Sequence, residues 1–155
     1  MANTYTQLYT QLVFAVKYRQ AQIRPDWEKR LYQYITGIVQ NRRHKMMAIN
    51  GMPDHIHIFV GMHPTESVSS LVQEIKKASS TFIKEEKFTR HRFRWQVGYG
   101  AFSYSKSHAQ RVVNYVLGQK EHHRKKTFQE EYLKLLKAFE IEYQPEYLFD
   151  FFEPN

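Results

Sequence analysis

Two histidines one residue apart, His55 and His57, lie in the apolar run "DHIHIFV" of a 155-residue chain. Side chains alternate along a strand, so both imidazoles share one face while Ile56 and Ile58 take the other. Neighbours on one face sit about 7 Å apart, close enough to converge on one ion if that face meets water. Such a pair is also found as plain exposed polar residues, and buried rings would each need a hydrogen-bond partner. A metal site further requires a third ligand and a task.

The stretch "KSHAQRVVNYVLGQKEHHRKK" supplies candidates for both. At about 100° per residue, Val112, Val113 and Val116 form the core face of a helix. Arg111, Tyr115, Gln119 and His122 form a separate polar face, with His108 beside them. Tyr115 and Gln119 are four residues apart and therefore stack one turn from each other. A phenol and an amide oxygen thus project together. Without the histidine pair, Tyr115 reads as a half-buried aromatic and Gln119 as a surface residue. His122 and His123 are further candidates for a ligand or proton shuttle, or simply cations favoured at a helix end. His63 reads as structural, and His44 and His91 carry no signal.

These residues need elements to position them. Period-2 alternation from Tyr5 to Tyr18 predicts a first strand. Pro25 opens a helix whose stripe is Trp27, Leu31, Tyr34, Ile35, Ile38 and Val39. "HKMMAINGMPDHIHIFVGM" reads as two strands around the turn residues Asn50, Gly51, Pro53 and Asp54. A second helix is expected from about Ser67 to Glu86 and a fourth strand over "FRWQVGYGAFSYS". The third helix follows, and Thr127 with Glu130 has capping-box spacing before a last helix from Phe128 to about Glu140. The order β-α-β-β-α-β is that of an α+β, ferredoxin-like fold: an antiparallel sheet with helices on one face, plus a C-terminal helix. No repeat or linker interrupts it, so residues 1–155 are expected to form a single domain. The tail "YQPEYLFDFFEPN" is too aromatic for water and is expected to pack on this subunit or a partner.

Composition narrows the partners. Lys and Arg number 23 against 15 Asp and Glu, for a net charge of +8. A small basic domain rich in Tyr and Phe suits nucleic acid, because cations neutralise phosphates and aromatic faces stack on bases. Solvated surface lysines would give the same count. The absence of cysteine excludes disulfides, thiolate metal sites and a Cys nucleophile. No apolar run reaches the roughly 20 residues of a membrane span, and the N-terminus lacks a signal-peptide pattern. A cytoplasmic protein is expected.

The strand "DHIHIFV", the strand "WQVGYGAFSYS" and the Tyr-x-x-x-Gln pattern in "NYVLGQKEHH" occur in that order. Together they resemble the single-tyrosine HUH transposases of the smallest bacterial insertion sequences and the related REP-associated tyrosine transposases. The resemblance covers nearly the whole chain and agrees with the ferredoxin-like order. It implies His55 and His57 as metal ligands, Gln119 as the third ligand, and Tyr115 as the nucleophile. It implies Mg²⁺ or Mn²⁺, with imidazoles tilting the preference toward Mn²⁺. The implied reaction is cleavage and strand transfer of single-stranded DNA through a 5′-phosphotyrosine at insertion-sequence ends. The implied partners are DNA with hairpin ends and a second copy of the chain in a homodimer. Arg42, Arg43, Lys45, Lys106 and Arg111 then become candidate phosphate contacts.

Two other readings fit many of the same residues. One is a non-catalytic, ferredoxin-like module that binds single-stranded nucleic acid. The other is a metal-dependent phosphoesterase in which the histidines act directly and Tyr115 only packs.

Overall fold

The computed structural model describes residues 3–152; the ends of the expected 1–155 domain, residues 1–2 and 153–155, lie outside them. The strands are β1 (Tyr9–Ala15), β2 (Lys45–Met52), β3 (His55–Gly61) and β4 (Gly100–Tyr104). They form one sheet in the order β2-β3-β1-β4 with every pairing antiparallel. The helices are α1 (Pro25–Asn41), α2 (Val68–Glu85), α3 (Lys106–Leu117), α4 (Gln119–His122) and α5 (Phe128–Ala138). This is the α+β, ferredoxin-like arrangement expected from the sequence.

Local chemistry sets the element ends. Pro25 opens α1, where its missing N–H costs no intrahelical bond, and Trp27, Leu31, Ile35 and Val39 bury one stripe. The Ser67 hydroxyl accepts from the Ser70 amide at the start of α2. Thr127 and Glu130 form the capping box of α5 as their spacing requires. The β2–β3 hairpin is too tight for a side chain at Gly51, where a Cβ would stand 2.3 Å from the His55 carbonyl oxygen.

The pleat divides the core into two layers. Leu12, Phe14, Ile56, Ile58 and Val60 point to one face, covered by α1 and α2; the Lys76 ammonium of α2 stands 5.4 Å from the Phe14 ring centre. Gln11, Val13, His55, His57 and Phe59 point to the other. There α3 packs Val112 and Val116 near Phe59 and Ala48, and α5 lays Phe128 on His55. The helices expected on one face are thus α1 and α2, while α3 to α5 add a layer on the opposite face. Central strands β1 and β3 are consequently buried on both sides, and the shared face of His55 and His57 is covered by helices rather than by water.

Three elements are shorter than their patterns suggested, the first strand covering Tyr9–Ala15 rather than Tyr5 to Tyr18. The fourth strand covers only Gly100–Tyr104, with Trp95 making an isolated bridge to Val16. Between them Gly98 takes φ +92°, and Lys76 Nζ donates to the Gln96 and Gly98 carbonyls at 2.8 and 2.7 Å, which bends the chain away from the ladder. The third helix stops at Leu117, and Gly118 separates it from the single turn of α4. The aromatic tail folds back on its own chain: Phe149 packs against Tyr132, and Asp150 exchanges backbone hydrogen bonds with the Gln96 amide. Among the described residues no helix is long and apolar enough to cross a membrane.

Candidate active site

Glu131, on the buried stripe of α5, organises the site. Its Oε1 lies 2.9 Å from His57 Nε2, 3.1 Å from His123 Nε2 and 3.3 Å from His55 Nε2. Its Oε2 accepts hydrogen bonds from the Tyr115 hydroxyl and, at 3.0 Å, from the Gln119 amide nitrogen. Gln119 Oε1 lies 3.0 Å from His123 Nε2 and 3.4 Å from His55 Nε2. One carboxylate therefore links strand β3, both halves of the broken helix and the phenol of Tyr115.

A second ring of contacts orients the imidazoles. His55 Nδ1 donates to Asp54 Oδ1 at 2.7 Å, and His123 Nδ1 donates to the Lys126 carbonyl at 2.8 Å. Each therefore turns Nε2 inward. His57 Nδ1 sits 2.9 Å from the Gln11 amide, whose other end takes the Tyr104 hydroxyl at 2.8 Å.

This geometry fits a cation. Two inward nitrogens whose partners already hold their Nδ1 protons meet an anionic oxygen with lone pairs on both sides. An extra proton or a divalent ion relieves that opposition, and the donor atoms of His55, His57, His123 and Glu131 lie within 4.8 Å of one another. Ligation by His57 Nε2 is met by turning the Gln11 amide over, its oxygen on Nδ1 and its NH₂ on the Tyr104 oxygen.

Electrostatics follow from burial against charge. Burial alone would push the His55 imidazole down, but the carboxylates of Asp54 and Glu131 outweigh it and hold it above its ordinary value. For His57 burial prevails over the Glu131 charge and pushes it down. Burial would raise Glu131, yet His57, His123 and His55 hold it far below the carboxylate range. Burial first, then the Glu131 charge, pushes the Tyr115 phenol up, so it stays protonated at neutral pH.

The structure brings His55, His57, Tyr115 and Gln119 together, all from one chain. His123, one of two histidines left open in the sequence, joins them, while His122 Nε2 stands 3.6 Å from Glu131 Oε2. Glu131 was missed by sequence reasoning. Its signal is a carboxylate inside the apolar stripe formed by Phe128, Tyr132 and Leu136, a position where a charge persists only with partners. Among the candidate phosphate contacts, Arg43, Lys45, Lys106 and Arg111 are exposed. Arg42 instead forks onto Glu66, which also bonds His44 and Ser70.

Comparison with known proteins agrees with this architecture. The fold resembles a candidate transposase from Deinococcus radiodurans R1, with a TM-score of 0.60 and 20% identity over 77% of this chain and 95% of that one. It resembles equally the REP-associated tyrosine transposase bound to a REP hairpin, with a TM-score of 0.59 and 17% identity over 79% of this chain and 73% of that one. No curated protein sequence matches the chain. Residues 4–119 match the family model "Transposase IS200 like", and the chain belongs to that family. The matched span ends at Gln119, so His123 and Glu131 lie beyond it.

Proposed function

We propose that this chain cuts and rejoins single-stranded DNA at insertion-sequence ends, with Tyr115 as the nucleophile. The reading rests chiefly on Glu131, which accepts the Tyr115 hydroxyl on one oxygen and faces three imidazoles with the other. A phenol held against a candidate metal centre suits phosphoryl transfer better than it suits packing.

His55, His57, His123 and Glu131, with the Gln119 oxygen beside them, would hold a divalent cation, Mn²⁺ or Mg²⁺. Such an ion supplies positive charge that stabilises the phosphate in the transition state. Tyr115 Oη attacks the scissile phosphorus and the P–O3′ bond breaks. Glu131 Oε2 orients the phenol through its hydrogen bond, the phenol proton passes to water, and the departing 3′ oxygen takes a proton from water. The products are a 5′-phosphotyrosine and a free 3′-OH. The energy of the phosphodiester is kept, so a 3′-OH of another strand can displace Tyr115 without ATP.

The hairpin bound by the REP-associated relative supports DNA hairpins near the ends as the recognised feature. Rejoining two ends calls for two such centres, which a homodimer would provide. A strand-cleavage assay with Mn²⁺ tests the reading: Tyr115→Phe should bind the strand as wild type does and leave it uncut. Cleavage by Tyr115→Phe would instead make the histidines the agents of a phosphoesterase.

A further inference from the structure

The cluster is closed to solvent, with His55, His57 and Gln119 fully buried, so a strand must reach it from its margins. Two cavities adjoin it. One, of about 510 Å³, opens beside His123 and is lined by Arg19, Arg124, Lys125 and Lys126. The other, of about 370 Å³, opens between α3 and α5 against Tyr115 and Glu131. Their linings differ in kind: the first is cationic, whereas the second has walls of Tyr104, Val112, Tyr115 and Leu135 with Arg111 and Lys134 at its mouth.

The cations at the α5 side are short of partners. Among the described residues no carboxylate forms an ion pair with Arg111, Lys126 or Lys134. Lys126 and Lys134 instead face each other, and that contact pushes the Lys134 ammonium below its ordinary value. Their two positive charges stand together at the start of α5, an arrangement that an anion such as a DNA phosphate would suit. Lys126 also lines the first cavity, so the pair joins the two openings around the start of α5.

Resting on the strand-transfer reading above, we propose that the α3–α5 cavity takes one unstacked nucleobase beside the scissile phosphate, while Arg111, Lys126 and Lys134 hold the adjoining phosphates. The cavity's size lies at the lower end of the roughly 300–1,000 Å³ typical of small-molecule sites. Its aromatic and aliphatic walls offer a base a stacking surface that does not depend on sequence. A base seated there leaves its own phosphate next to Tyr115 and Glu131, where attack occurs. The cavity is walled by Tyr104 and α3 residues inside the span matched to the family model and by α5 residues beyond it.

The test uses the full chain, Mn²⁺ and single-stranded oligonucleotides drawn from the DNA flanking its gene. Adduct formation is read on a denaturing gel and binding by fluorescence anisotropy. In a strand that wild type cuts, abasic residues are placed one position at a time. One position beside the cut should lower adduct formation about tenfold, the scale of one lost base–aromatic stack, while the others change little. Ala138→Trp, on the exposed side of α5, should fill the cavity, impose the same loss on the intact strand, and make the sensitive abasic position cost nothing more. Leu135→Ala widens the cavity and should shrink the abasic penalty, which keeps the proposal testable if the tryptophan variant fails to fold. Removing Lys126 and Lys134 should lower the slope of log affinity against log salt by about 0.7 per lost phosphate contact. Equal tolerance of abasic residues at every position, or wild-type cutting by Ala138→Trp, would overturn the base-holding subsite. No adduct from wild type on any strand would overturn the strand-transfer reading itself, and that result is seen before any variant is compared.

Discussion

The His55 imidazole lies flat on the ring of Phe128, with ring centres 3.7 Å apart and planes 4° from parallel. Phe128 is the first residue of α5, and Glu131 follows one turn later on the same buried stripe. The stack therefore fixes a metal-candidate histidine on β3 and the helix that brings the carboxylate to it. Phe128→Ala should destabilise the fold by about 3–5 kcal/mol, as for other buried Phe truncations. It should also weaken metal binding, because α5 loses its hold on β3. Urea unfolding together with a metal titration checks both; a variant that loses stability but binds metal as tightly as wild type would separate the two roles.

The donor set speaks to which cation binds. Three imidazoles and one carboxylate suit first-row transition metals better than Mg²⁺, which favours oxygen ligands and keeps its waters. Mn²⁺ should raise the melting temperature of the full chain by more than equimolar Mg²⁺ does. His123→Ala and Glu131→Gln should each reduce that rise. Equal shifts in wild type and both variants would mean that the ion binds elsewhere.

Gly100 marks a close approach of β4 to α5. A Cβ there would stand 2.8 Å from both Cε1 and Oη of Tyr132 and 3.1 Å from Phe102 Cε2. Tyr132 is buried and cannot move freely, so Gly100→Ala should cost about 1–3 kcal/mol, the range for overpacked cores. A melting temperature unchanged from wild type would show that α5 has room to shift.

Glu66 gives the fold an acid-sensitive tie. The Arg42 guanidinium, against the effect of burial and with help from His44 and Ser70, holds its carboxyl down from 4.5 to about 2. Because the folded value lies below the unfolded one, the tie contributes fully above pH 4.5 and is lost as pH falls toward 2. Glu66→Gln should therefore lower stability at pH 7 by about 1–2 kcal/mol, a charge-assisted bond discounted for the exposure of Arg42. The gap between variant and wild type should close as the pH approaches 2, measured by urea midpoints across that range.

Much of this was legible in the sequence because local chemistry decides it. Alternation gave the central strands, Pro25 and Thr127 marked helix starts, and the spacing of His55, His57, Tyr115 and Gln119 carried both the family resemblance and much of the candidate site. What escaped depends on contacts far apart in the chain. His57 and Glu131 are 74 residues apart, and neither segment alone shows that they meet. The second helical layer escaped for a similar reason: alternation along β1 marks one apolar face, while Gln11, Val13 and Ala15 on the other are buried only because α3 and α5 cover them. The break at Gly118 and the loop at Gly98 were visible as glycines, but the Lys76 bonds that hold the Gly98 loop were not.

In the proposed reaction Tyr115 becomes covalently joined to DNA. The most direct measurement incubates the chain and Mn²⁺ with single-stranded oligonucleotides labelled at either end, then resolves the products on a denaturing gel. A label on the 3′ side of the cut should travel with the protein, and a label on the 5′ side should appear on a shorter free strand ending in 3′-OH. Tyr115→Phe and His57→Ala should give neither product. A shortened strand without any protein-linked partner, or an adduct that persists in Tyr115→Phe, would contradict the account.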